Sequence, residues 1–209
     1  MTGFERFGRT ARIAAVITLQ LSLASALGGC AALLGGGSKA VPTFDLTAPS
    51  NFTAPRTGTG QLLVGAPTAL AVLDTEKILV EPAPGQITYL SDAQWSDRLP
   101  ALFQARLIES FENGNRARSV SRPGSGVTAD YALLTDLRSF GIQAYQGNEA
   151  VVEVSAKIVN DRTGRIAAAQ VFKARVAAEG TAGAQATRAL DQASDQVFVE
   201  MVKWASARF

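Results

Sequence analysis

The stretch Val152-Glu153-Val154-Ser155-Ala156-Lys157-Ile158 alternates apolar and polar side chains at every step. A period of two puts each set on its own face of a β-strand, so this segment predicts a strand with one dry and one wet face. Asn160-Asp161-Arg162-Thr163-Gly164 follows and is turn chemistry, because Asn and Asp side chains close local turns and Gly tolerates positive φ. Beyond it Ile166, Ala168, Phe172, Ala174 and Val176 alternate with Lys173 and Arg175. Upstream, residues 130–140 show a similar apolar alternation. Three such strands in succession predict an antiparallel meander, and its apolar face requires a cover.

Two helices supply that cover. Ala186, Leu190, Ala193, Val197, Met201 and Trp204 recur at helical spacing, with Arg188, Asp191 and Asp195 expected on the outside. The polar side of this helix is not enriched in Lys or Arg, which favours packing on the sheet over lying on a membrane. For the other helix, Ser91-Asp92-Ala93-Gln94 fits a capping box. Trp95, Leu99, Leu102, Phe103 and Leu107 then form one apolar stripe. Pro100 would kink this helix unless its first turn lies nearer Leu99. Asn113-Gly114-Asn115 stops it.

Shorter strands complete the pattern. Lys77–Val80 and Gln86–Leu90 should form a hairpin across Pro82-Ala83-Pro84-Gly85. Residues 62–64 are apolar, residues 69–73 are expected as a buried strand, and residues 43–46 as a short strand or extended arm. The expected fold is therefore α/β in the mixed, α+β sense. One mixed, largely antiparallel sheet is covered by two helices in a single domain spanning 43–209.

The N-terminus has the parts of an export signal. Arg6, Arg9 and Arg12 precede an apolar run from Ile13 to Leu27, which ends in Leu27-Gly28-Gly29-Cys30. A Leu, two small residues and a Cys in that order resemble the lipobox of bacterial lipoproteins. Residues 1–29 are then a signal peptide and Cys30 the lipidation site. Cys30 is the sole cysteine, so an acylated thiol leaves no disulfide to form. Residues 30–42, with Gly35-Gly36-Gly37-Ser38, are expected as a flexible tether with a reach on the order of 20 Å. Ala31 is not the Asp that retains lipoproteins in the inner membrane of enteric bacteria, so an outer-membrane anchor facing the periplasm is expected.

Composition narrows the chemistry. The chain carries 20 basic and 18 acidic residues, and the signal removes three Arg and one Glu, so the remainder is neutral. No basic patch stands out for nucleic acid. There is no histidine, which excludes a Ser-His-Asp triad, a Cys-His pair and any His-ligated metal. Carboxylate pairs, a Lys nucleophile or an Asp/Glu metal site remain open, but the acidic residues are scattered. The expectation is no enzyme, no cofactor and no metal.

Four stretches carry a family resemblance. They are Phe44-Asp45-Leu46; Leu73-Asp74-Thr75-Glu76-Lys77-Ile78-Leu79-Val80; Tyr89-Leu90-Ser91-Asp92-Ala93-Gln94-Trp95 with Leu99; and Leu134-Thr135-Asp136-Leu137-Arg138-Ser139-Phe140. Together with the lipobox they resemble the ABC-type transport auxiliary lipoproteins, the lipoprotein subunit of MCE-type lipid transport systems. The resemblance implies a non-catalytic docking subunit, an MCE-type periplasmic partner and a possible homo-oligomer. The segment 141–148 is expected as a loop in which Tyr145 offers an exposed aromatic to a partner. A structural envelope lipoprotein that scaffolds cell-wall or outer-membrane assembly is the alternative. A carboxylate-based hydrolase would need two Asp or Glu converging in one pocket.

Overall fold

Among the described residues, nine strands and two helices follow in order: β1 (Thr43–Phe44), β2 (Leu62–Val64), β3 (Thr68–Ala69), β4 (Lys77–Ala83), β5 (Gln86–Trp95), α1 (Leu99–Phe111), β6 (Val120–Ser121), β7 (Tyr131–Gln143), β8 (Glu149–Asn160), β9 (Ile166–Ala177) and α2 (Gly183–Ser206). This computed structural model describes residues 40–57 and 59–209. The expected signal peptide, Cys30 and tether residues 31–39 lie outside the described residues.

The expected meander is present. β7 and β8 pair antiparallel from Tyr131↔Asn160 to Gln143↔Glu149, and β8 and β9 from Glu149↔Ala177 onward. The register slips once, between Leu137 and Ser139. That bulge lets Leu133 and Leu137 before it, and Phe140 and Ile142 after it, all reach the buried side. The other edge of β7 is shared along its length by three parallel neighbours: β2 at Tyr131–Leu133, β3 at Asp136–Leu137 and β4 at Gly141–Gln143. β5 pairs antiparallel with β4, as the expected hairpin, and β1 extends the sheet beyond it.

Both helices join one buried cluster with the sheet. Val152, Val154, Ala156 and Ile158 of β8 are fully buried, as are Leu190, Ala193, Phe198 and Met201 of α2. Phe103 of α1 meets Phe198 of α2 at 4.8 Å between ring centres. The opposite sheet face is wet and carries ion pairs such as Lys173–Glu153 at 2.6 Å and Arg175–Glu149 at 2.6 Å.

Three expectations are corrected. Ser91–Trp95 belong to a strand, and no helix starts there. Gln94 pairs with both Thr43 and Lys77, and the Trp95 N–H donates to the Glu76 carbonyl at 2.7 Å. The sheet thus takes the backbone groups that a capping box would have used. α1 begins at Leu99, with Pro100 in its first turn, where a missing N–H costs nothing. Asp92 still caps a helix, but the other one: its Oδ2 accepts from the Gly183 N–H of α2 at 2.9 Å. Second, the strand expected at 69–73 ends at Ala69. The N–H groups of Leu73 and Asp74 turn back onto the Leu70 carbonyl, at 2.8 and 3.0 Å, leaving Leu70 73% exposed. Third, residues 141–143 continue β7 and leave only 144–148 as the connection to β8.

Gly141 shows why that extension is tight. A Cβ there would lie 2.6 Å from the Leu79 carbonyl oxygen and 2.8 Å from Leu79 Cδ2. Gly141→Ala must push β4 away from β7, an overpacking cost of about 1–3 kcal/mol. The melting temperature should fall by roughly 3–10 °C for a domain of this size. A melt within a degree of wild type would show that the strand pair relaxes freely.

Candidate docking surface

Tyr145 sits in a single helical turn, Ala144–Gln146, between β7 and β8. The chain can reverse there because Gly147 and Asn148 both adopt positive φ, 84° and 59°. Parallel pairing of Glu81 with Gln143 brings the tip of the β4–β5 hairpin to the same end of the sheet. Polar groups hold this end together. Gln143 donates to Glu81 at 3.2 Å, and Arg175 donates to Gln143 at 3.1 Å and to Glu149 at 2.6 Å. On that frame Tyr145 is 36% exposed, and Ile87 on the hairpin is 48% exposed. Ile87, on the hairpin strand expected at Gln86–Leu90, is thus exposed at the same end of the sheet as the expected loop aromatic.

The segment after the tether is fixed to both helices. Leu46 is buried, Asp45 pairs with Arg106 of α1 at 2.6 Å, and the Thr47 N–H and hydroxyl donate to Asp191 of α2 at 2.7 and 3.0 Å. Asp195, one turn further along α2, is not outside as expected. It is partly buried, and its Oδ1 has no hydrogen-bond partner among the described residues. Burial pushes its carboxyl up to about 6, Asp191 adds to the rise, and Thr47 opposes it.

The sign of the pH effect follows. A carboxyl that binds its proton more tightly folded than unfolded penalises the fold when ionised, and stability rises as pH falls from about 7 toward 4. Asp195→Asn should raise the melting temperature at pH 7.5 by on the order of 2 °C, since solvent screens a half-exposed group. The gain should vanish near pH 4. An equal effect at both pH values would mean that the charge is not responsible. Asp191 and Asp195 are thus a carboxylate pair beneath the N-terminal arm. Among the described residues, no set of three or more His, Cys, Asp or Glu side chains gathers as a metal site.

The opposite end holds what sequence reading missed. The neutral total hides a segregation of charge, and a basic patch forms only on folding. One hollow of about 430 Å³ is lined by Arg56, Arg116 and Arg118, together with Glu112. A neighbouring hollow of about 650 Å³ is lined by Arg162 and Arg208, together with Asp130, Tyr131 and Phe209. The two meet where buried Arg116 stacks on the Phe209 ring at 4.5 Å and donates to its carbonyl at 3.3 Å. Burial, with Arg56 nearby, lowers the Arg116 guanidinium from its ordinary value. Arg116 and Arg118 are neighbours in sequence, but Arg56, Arg162 and Arg208 come from distant segments, so the full patch forms only on folding.

No helix among the described residues is long and apolar enough to cross a membrane. The architecture is that of an α+β domain offering loop ends and a wet sheet face to its surroundings. The chain belongs to the ABC-type transport auxiliary lipoprotein component family, whose model matches residues 44–202. It is an envelope-associated lipoprotein of a transport-linked family. It is 34% identical over 180 residues to an uncharacterized protein of Bradyrhizobium diazoefficiens, covering 85% of this chain and 48% of that protein. The chain thus spans about half the length of that relative. Protein XCC0632 from Xanthomonas campestris is 25% identical, with a TM-score of 0.69 over 78% of this chain and 94% of that one. A second solved structure, of an uncharacterized protein, shares the fold at 12% identity, with a TM-score of 0.62 over 79% and 98% of the two chains.

Proposed function

We propose that this lipoprotein is the outer-membrane-anchored, non-catalytic docking subunit of an MCE/ABC-type lipid transport system. The family match across residues 44–202 carries this reading. On this reading residues 1–29 are removed as a signal peptide, Cys30 bears the acyl chains, and residues 30–42 tether a docking body formed by residues 43–209. The rigid end that presents Tyr145 and Ile87 is the contact for an MCE-type periplasmic subunit, because aromatic side chains on well-braced loops dominate many interfaces. The absence of histidine agrees with a role in binding.

Affinity purification of the tagged lipoprotein from detergent-solubilised envelopes tests this. An MCE-type protein, with its permease and ATPase, should co-purify. Recovery of cell-wall or outer-membrane assembly proteins without any MCE protein would replace the transport reading with the scaffold one.

A further inference from the structure

The arginine-rich end is a second surface, distinct from the Tyr145 end and at the other extremity of β7. Asp130 and Tyr131 open β7 there, and the β8–β9 turn lies alongside: the Asn160 N–H donates to the Arg165 carbonyl at 2.9 Å, and the Asp161 N–H to the Asp130 carbonyl at 2.9 Å. Arg56, Arg116, Arg118, Arg162, Arg165 and Arg208 therefore share one end of the molecule. Carboxylates accompany them, among them those of Glu112, Asp130 and Asp161, and Asp130 is already accepting from the Gln61 N–H at 2.9 Å.

Their pairing sets them apart. Arg98, Arg106, Arg138 and Arg175 elsewhere each have a carboxylate within ion-pair distance. Among the described residues none of the exposed Arg56, Arg118, Arg162 and Arg165 has one. Exposed arginines that outnumber the carboxylates around them and form no ion pair with those carboxylates favour an external anion. The cations are all arginine, whose planar fork binds phosphate oxygens in pairs. Two of the exposed large apolar side chains belong to the segments that lead to this end: Val127, 43% exposed and three residues before Asp130, and Ile166, 58% exposed and next in sequence to Arg165. Cationic groups flanked by apolar ones match the headgroup region of a bilayer, where phosphate lies above hydrocarbon.

We infer that this end, through Arg56, Arg118, Arg162 and Arg165 with Val127 and Ile166, docks on the phosphate-bearing surface of a membrane containing anionic phospholipid. An acidic protein would match the charge but does not account for the apolar side chains at the same rim. The inference is independent of any MCE partner.

The test places the full-length lipoprotein in vesicles of pure phosphatidylcholine. These are mixed with protein-free fluorescent vesicles, either of phosphatidylcholine alone or with about a third phosphatidylglycerol. Capture of the anionic vesicles should exceed that of the neutral ones by about tenfold and decline steeply with salt. Arg118→Glu with Arg162→Glu should bring capture down to the neutral level at an unchanged melting temperature, and the Arg→Lys pair should keep most of it. Should the Glu pair fold poorly, Arg118→Gln with Arg162→Gln should still lower capture severalfold. Equal capture of both vesicle types would overturn the inference and leave an acidic protein as the partner of this end. Loss of capture in millimolar inorganic phosphate at matched ionic strength would also overturn it, in favour of a pocket for the free anion.

Discussion

Trp95→Ala is expected to unfold much of the protein at growth temperature. Trp95 is 2% exposed in β5, its ring meets Phe140 edge-on at 5.9 Å, and its strand is paired on both sides. Truncating such a side chain costs about 3–5 kcal/mol, a large part of the total for a domain of this size. The purified variant should melt on the order of 10 °C or more below wild type. Trp204→Ala is the internal comparison. Trp204 is 9% exposed at the end of α2, meets Phe172 edge-on at 5.4 Å between ring centres, and has the Arg208 guanidinium over its ring at 5.0 Å. It has more room to be replaced by neighbouring groups, so its loss should be the smaller of the two. If the Trp95 variant melted like wild type, β5 could not be the strand that ties β1 to β4.

Cys30→Ser should change location outright. Each buried methylene of an acyl chain contributes about 0.8 kcal/mol, and one chain alone anchors only marginally, so stable attachment needs several. Without the thiol there is no site for them, and the variant should appear uncleaved or in the soluble periplasmic fraction. If it still sedimented with membranes in high salt, the anchor would lie elsewhere. The amphipathic α2 would be the first segment to examine, although its apolar stripe is already buried against the sheet.

The meander and α2 were legible because one period governs each of them. Residues 152–158 alternate without interruption and 172–176 do so again, while the α2 stripe recurs at helical spacing along the whole helix. Reading failed where a local signal had two uses. Ser91-Asp92-Ala93-Gln94 looks like a cap in isolation, but Asp92 caps α2, whose first residue is 91 positions away. The apolar residues 69–73 have strand composition, yet the backbone closes on the Leu70 carbonyl. The position of Tyr145 in a turn could be read from Gly147 and Asn148. Its companion Ile87 could not, because only the pairing of β4 with β7 joins the two segments. The arginine end was illegible for the same reason on a larger scale. Its cations come from the 47–60 loop, the segment after α1, the β8–β9 turn and the residues after α2.

The direct measurement is binding of a purified MCE-type periplasmic subunit to the full-length lipoprotein held in detergent micelles, for wild type and for Tyr145→Ala. Saturable binding is expected, weakened about tenfold or more by the substitution if Tyr145 is a dominant contact, with an unchanged melting temperature. Absence of binding by the wild-type protein would contradict the docking role itself.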